Sequence, residues 1–252
     1  MPSEAIYSET FYQDRHARTV TAASRILDLA LAVLPPVQSA VDVGCGVGTW
    51  LAEIQRQGIP DIQGFEGEWV DTQHLEIPTD CFSHHDLTKP IAVPAKRYDL
   101  ALSLEVAEHL PDASAGTFVA SLTGLSDCIL FSAAIPGQGG RHHINEQWIE
   151  YWLERFAQHD YVGLDVIRPH IWHDEEIAEW YRQNAILLVA RSRLDELKLE
   201  APPHTLKPFS IVHPIAFSSI TQRLRAQMDK DRTLAGSWKL FRRAVRARVR
   251  GN

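Results

Sequence analysis

The chain has 252 residues, 45% of them apolar and 23% charged, with 25 Lys and Arg against 32 Asp and Glu for a formal net charge of −7. That composition excludes a disordered or fibrous chain, and the length supports a full hydrophobic core without staples. Six basic residues and no acid follow from Lys239 onward, which leaves −13 on residues 1–238, a body that repels a phosphate backbone and disfavours nucleic acid as a partner.

Apolar residues at helical spacing predict a helix from Thr19 to Leu34, stopped by Pro35 and Pro36. Ala40 to Val43 reads as a short buried strand, and Thr49 to Gln57 as a helix closed by Gly58 and Pro60. Strands are expected at Ile62 to Phe65, Cys81 to His85 and Tyr98 to Leu104, then a helix at Ser114 to Leu125 and a strand at Cys128 to Ile135. Asn145 to His159 is expected to be helical, Tyr161 to Ile167 a strand, Asp174 to Arg182 a helix and Ala185 to Arg191 a last strand. Short apolar strands alternating with helices mean βαβ units and a mostly parallel sheet, with the last two strands closing one edge, in parallel or antiparallel sense. Leu194 to Pro208 reads as a linker, and Ser218 to Asp229 and Trp238 to Val249 as terminal helices.

No CxxC pair exists among Cys45, Cys81 and Cys128, so neither a zinc ribbon nor a redox dithiol is expected. The first ten residues lack a basic segment followed by an apolar one, and Leu27 to Leu34 is too short to span a bilayer; a soluble cytoplasmic protein is expected.

The chemistry concentrates at the ends of the predicted strands. Val41-Asp-Val-Gly-Cys-Gly-Val-Gly48 is a strand running into closely spaced glycines and then a helix, which exposes backbone amides to a ligand. The glycines at 44, 46 and 48 do not follow the GxGxxG spacing of a dinucleotide fold, and Asp42 beside them makes a pyrophosphate unwelcome while a small carboxylate remains acceptable. Glu66, at the tip of the second strand, has the place to accept ribose hydroxyls. Asp86, after the third strand, has the place to accept an adenine amino hydrogen, with Leu87 packing on the ring. Together these features describe a nucleoside site.

VDVGCGVG, the acid after strand two, HHDL after strand three and DLALSLEVAEHL after strand four resemble the class I S-adenosylmethionine-dependent methyltransferases, in their small-molecule branch. The resemblance covers roughly residues 38–191 and implies a Rossmann-like, mostly parallel seven-stranded sheet flanked by helices. On it, Gly44, Cys45, Gly46 and Gly48 form the loop around the methionine part of the cofactor, with Asp42 just before it. Glu66 holds the ribose, Asp86 and Leu87 the adenine, and Leu104 and Glu105 lie against the sulfonium. Residues 1–37 are then an N-terminal helical lid, with Tyr7, Phe11, Tyr12 and His16 folding over the cofactor. Residues 38–191 are the cofactor-binding domain, and residues 192–252 a C-terminal linker and helices with the basic tail.

Methyl transfer needs a nucleophile placed in line and relieved of its proton. His143 and His109 are the candidate bases, with His142 behind them. The same stretch supports another arrangement: Glu105-Val-Ala-Glu108-His109 puts Glu105, Glu108 and His109 on one helical face, and His143 completes a cluster able to hold Mg²⁺, Mn²⁺ or Zn²⁺. That pattern resembles the metal-dependent RNA 3′-terminal 2′-O-methyltransferases and the O-methyltransferases of quinone biosynthesis. Neither an Asn-Pro-Pro-aromatic motif nor a Pro-Cys dipeptide is present, so oxygen is the expected acceptor atom, on a small molecule, sugar or glycoconjugate. An RNA-end enzyme, a catalytically inactive nucleoside-binding subunit and an NAD oxidoreductase are the rival readings. Trp148, Trp152 and Phe156 form a helical stripe that fits core packing or a platform for sugar rings. The basic tail fits either docking on the acidic body or contact with an anionic membrane surface.

Overall fold

The computed structural model describes residues 9–93, 95, 97–232 and 242, with side chains described from Thr19 onward. Helix α1 spans Glu9–Val33, strand β1 Ser39–Val43, α2 Thr49–Arg56, β2 Asp61–Glu66 and β3 Phe82–His84. Next come β4 at Leu100–Leu104, α3 at Ala115–Leu125, β5 at Cys128–Ser132, α4 at Ile149–Ala157 and β6 at Tyr161–Leu164. Short helices α5 at Arg168–Ile171 and α6 at Glu179–Asn184 lead to β7 at Ile186–Ala190, and α7 follows at Pro214–Arg232.

The seven strands form one sheet in the order β3-β2-β1-β4-β5-β7-β6. Every residue of β1, β4, β5 and β7 is buried, as a strand covered on both faces requires. Alternate side chains feed two cores. Leu100, Leu102 and Leu104 pack with Ile26 and Leu27 of α1 and Leu51 and Ile54 of α2, while Ala101, Ile129 and Phe131 pack with Phe118 and Leu122 of α3 and Trp152 of α4. β1 to β5 are parallel, which brings their carboxyl ends to one edge. The last two strands close one side of the sheet, as expected. β7 inserts between β5 and β6 and runs antiparallel to both, with Phe131 opposite Ile186. The chain segment before β7 therefore arrives at the same edge as the carboxyl ends of β1 to β5.

Two predicted helices start later than their sequence pattern implies. Residues 145–148 are not helical, because the Ile144 and Asn145 amides donate to the Glu108 carbonyl and the Gln147 amide to that of Ala134. Asp174 opens a turn rather than a helix: it takes the Glu176 amide at 3.1 Å and pairs with Arg25 of α1, so α6 begins only at Glu179. The chain divides into two compact units, Met1–Ile211, which holds the sheet, and Val212–Asn252, which holds α7. Apart from Arg242, the helix expected from Trp238 to Val249 and the basic tail lie outside what is described, as do Tyr7 and the side chains of Phe11, Tyr12 and His16. Among the described residues no helix is long and apolar enough to cross a membrane.

Candidate active site

β1 ends at Val43, and the chain turns through Gly44, Gly46 and Gly48 at φ of 93°, 55° and 91°, a region that side chains other than glycine rarely enter. The Gly44 amide donates to the Phe65 carbonyl at 2.8 Å, pinning the loop to β2. A Cβ at Gly44 would lie 2.3 Å from the Val106 side chain and one at Gly48 2.8 Å from Ile77, so these two glycines let neighbours pack. At Gly46 a Cβ would meet nothing within 4 Å: this residue faces open space, where a ligand backbone can approach. The cradle fits the amino-acid part of S-adenosylmethionine.

Glu66 is buried at the tip of β2, where one carboxylate oxygen accepts the Gly46 amide at 3.0 Å and the other the Gly67 amide at 2.9 Å. It thus ties the loop to β2 and retains lone pairs for ribose hydroxyls. Burial raises its pKa against the opposing pull of those amides. Asp42 is buried inside β1; burial first, and the Glu66 charge second, push its pKa well above the carboxylate range. Cys45 is a buried thiol whose pKa burial drives upward, a packing residue of the loop. Asp86 is exposed, and the Thr88 hydroxyl and amide on its Oδ1 hold its pKa low. Leu87 is turned into the core with Val41 and Val43. Asp86 therefore stands at the surface beyond β3, where a base can reach it, and Leu87 offers at most its outer edge.

Leu104 is buried at the end of β4. Glu105 follows with φ of 56°, its amide shared between the Ser132 carbonyl and hydroxyl, both at 3.0 Å. Its carboxylate accepts the Gln138 amide at 2.7 Å and the Asn184 amide at 3.1 Å. Burial raises its pKa while these donors lower it. Glu105 is thus drawn to two amides and not into the cluster that the sequence placed it in. That cluster consists of Glu108, His109 and His143, whose ligand atoms lie within 4.8 Å of one another. The His109 and His143 rings meet edge to face with centroids 4.8 Å apart.

Glu108 is fully buried, and among the described residues neither carboxylate oxygen has a hydrogen-bond partner. Burial, and then the charge of Glu105, push its pKa up to about 9. His143 Nε2 stands 4.0 Å from it, while Nδ1 lies 2.9 Å from Glu146. Glu146 also accepts the Gly137 amide at 2.7 Å and the Gly139 amide at 2.6 Å. The carboxylate on Nδ1 fixes the proton there and leaves the Nε2 lone pair facing Glu108. Glu146, Gln138 and Asn184 are absent from the sequence-derived site. His142 is exposed, with φ of 63°. Trp152 and Phe156 are core residues against Phe131, and Trp148 is exposed, so the aromatic stripe is mainly packing.

A parallel sheet with a glycine loop after β1, an acid after β2 and polar groups after β4 and β5 defines a class I methyltransferase site. A family model described as a methyltransferase domain matches residues 14–160, and the chain belongs to that family. It is an S-adenosylmethionine-dependent methyltransferase. No curated protein sequence matches it. Among solved structures it is similar to DesVI of Streptomyces venezuelae, at 21% identity over 52% of this chain and 58% of that one, with a TM-score of 0.45. The chain thus spans less than two thirds of that protein. It is also similar to the magnesium protoporphyrin IX methyltransferase of Synechocystis PCC 6803, at 16% identity over 75% and 86% of the two chains, TM-score 0.46. An S-adenosylmethionine-dependent methyltransferase from Mesorhizobium loti is 18% identical over 68% and 98%, TM-score 0.46.

Proposed function

We propose that the protein transfers the methyl group of S-adenosylmethionine to a hydroxyl of a small-molecule, sugar or glycoconjugate acceptor, with Glu108, His109 and His143 holding a divalent cation beside that hydroxyl. The observation that carries this reading is the Glu108 carboxylate, fully buried with both oxygens unpartnered among the described residues. A buried acid without a donor is costly, and a cation is the partner that satisfies it. Two imidazoles and one carboxylate suit Mn²⁺ or Zn²⁺ better than Mg²⁺. The Glu146–His143 hydrogen bond is the outer support that ligating histidines commonly have. A cation bound there supplies positive charge that lowers the pKa of the acceptor hydroxyl. The other work falls to the chain: Glu146 aims His143, the glycine loop and Glu66 hold the cofactor, and Ile144 and Trp148 offer exposed apolar ground at the rim. An RNA 3′-terminal 2′-O-methyltransferase would use the same three side chains, but the −13 on residues 1–238 opposes a polyanion.

Calorimetry with Mn²⁺ and Zn²⁺ tests the site: the protein should bind one of them in the micromolar range, and Glu108→Gln should weaken binding at least tenfold. Methyl transfer should stop in chelator and return with the metal. If neither cation binds and chelator leaves turnover intact, the cation is wrong and His143 acts alone as base. Labelled S-adenosylmethionine offered to fractionated metabolites and to RNA ends tests the acceptor. Label in RNA alone would overturn the small acceptor, and label in nothing points to an inactive subunit.

A further inference from the structure

Four acids stand at the carboxyl edge of the sheet: Asp42, Glu66, Glu105 and Glu108. Among the described residues no Lys or Arg forms an ion pair with any of them. Glu66 is held by the backbone amides of Gly46 and Gly67. Glu105 is mounted differently, by amides from two distant segments. Gln138 comes from the loop after β5, and Asn184 is the last residue of α6, outside the 14–160 family match. The two amides are themselves tied, since Gln138 Oε1 accepts Asn184 Nδ2 at 2.9 Å and Gln183 Nε2 at 3.2 Å. Gln183 Nε2 in turn lies 3.0 Å from Asn184 Oδ1. Gln183 and Asn184 are buried, so this is a closed amide ring around one carboxylate.

Neutral donors orient a carboxylate without cancelling its charge, whereas an arginine would do both. Val106, next in the chain, packs on Gly44 of the cofactor loop, which keeps Glu105 beside the cradle. S-adenosylmethionine carries one positive charge more than the S-adenosylhomocysteine left after transfer, because methyl loss converts the sulfonium to a neutral thioether. We infer that Gln138 and Asn184 are positioning residues that hold the Glu105 charge toward the cofactor, so that the site discriminates the charged donor from the neutral product. The discrimination depends on the cofactor assignment and not on the acceptor or the cation.

The test is calorimetric titration of the full chain with S-adenosylmethionine and S-adenosylhomocysteine separately, in chelator and without acceptor, so that failure of the proposed function leaves it untouched. Asn184→Ala and Gln138→Ala should each raise the Kd for S-adenosylmethionine about tenfold, the worth of one hydrogen bond to a charged group, and that for S-adenosylhomocysteine less than twofold. Glu105→Gln should show the same asymmetry, and Asn184→Gln should restore part of it. Equal losses for both ligands mean a merely structural ring, and unchanged affinities remove the residues from the site. Either result overturns the inference. Gln138 is on a partly exposed loop, so its variant serves if Asn184→Ala does not fold.

Discussion

A methyl group added at Gly44 would meet the Val106 side chain at 2.3 Å, whereas one added at Gly46 would meet nothing within 4 Å. Both positions cost roughly 1–2 kcal/mol in backbone strain when a side chain is placed there. Beyond that, Gly44→Ala forces core movement, while Gly46→Ala intrudes only on the space left for a ligand. In urea unfolding Gly44→Ala should lose clearly more stability than Gly46→Ala. In titration with S-adenosylhomocysteine, Gly46→Ala should lose at least tenfold in affinity while staying folded; wild-type affinity there would place the cofactor elsewhere. Similarly, Glu146→Gln should cost about 10–100-fold in cation affinity, since it loosens His143 without removing a ligand. The glycines were legible because their spacing is local. Glu146 was not, because an acid in a glycine-rich loop looks like any solvated side chain until His143 is seen against it.

Arg97 shows how an element end is held. Its guanidinium caps the carbonyl end of α3 through Gly124 at 3.0 Å and Thr123, pairs with Asp127 at 2.6 Å, and meets the Tyr161 hydroxyl of β6 at 3.0 Å. One side chain therefore joins α3, the start of β5 and the far strand of the sheet. Arg97 is about one-third exposed, so Arg97→Ala should cost only about 1–2 kcal/mol, read from the urea midpoint. Strands were the legible elements, since buried ones are short apolar runs between polar or turn-forming residues, as at Ala40 to Val43 and Ala185 to Arg191. Helix starts were less so. Nothing in the periodicity of Asn145 to His159 reveals that the amides of residues 144, 145 and 147 are spent on Glu108 and Ala134. Nor does a run of apolar residues tell which way β7 points.

Across the whole molecule, the buried acids make stability depend on pH. Asp42 keeps its proton in the folded protein well past the ordinary carboxylate range, whereas the unfolded chain releases it near pH 3.9. The folded state therefore binds more protons above that pH, and this residue's contribution falls as pH rises. Asp42→Asn, which stays neutral, should gain on the wild type between pH 4 and 7 when urea midpoints of the ligand-free proteins are compared. A constant difference would mean that Asp42 titrates normally. The composition showed the acid excess but not that its members meet at one edge, because Asp42, Glu66, Glu105 and Glu108 converge only through the sheet order.

The reversal of β7 also bears on how the protein is made. Glu105 and Asn184 are separated by 79 residues, and they meet only once β7 lies antiparallel beside β5. A growing chain releases the glycine loop, Glu66 and the Glu108 group long before Asn184. The nascent protein can thus build its cradle early and complete its charge-holding ring last. On the role inferred for the ring, docking of β7 against β5 is the step of synthesis that would turn a nucleoside pocket into a donor-selective one.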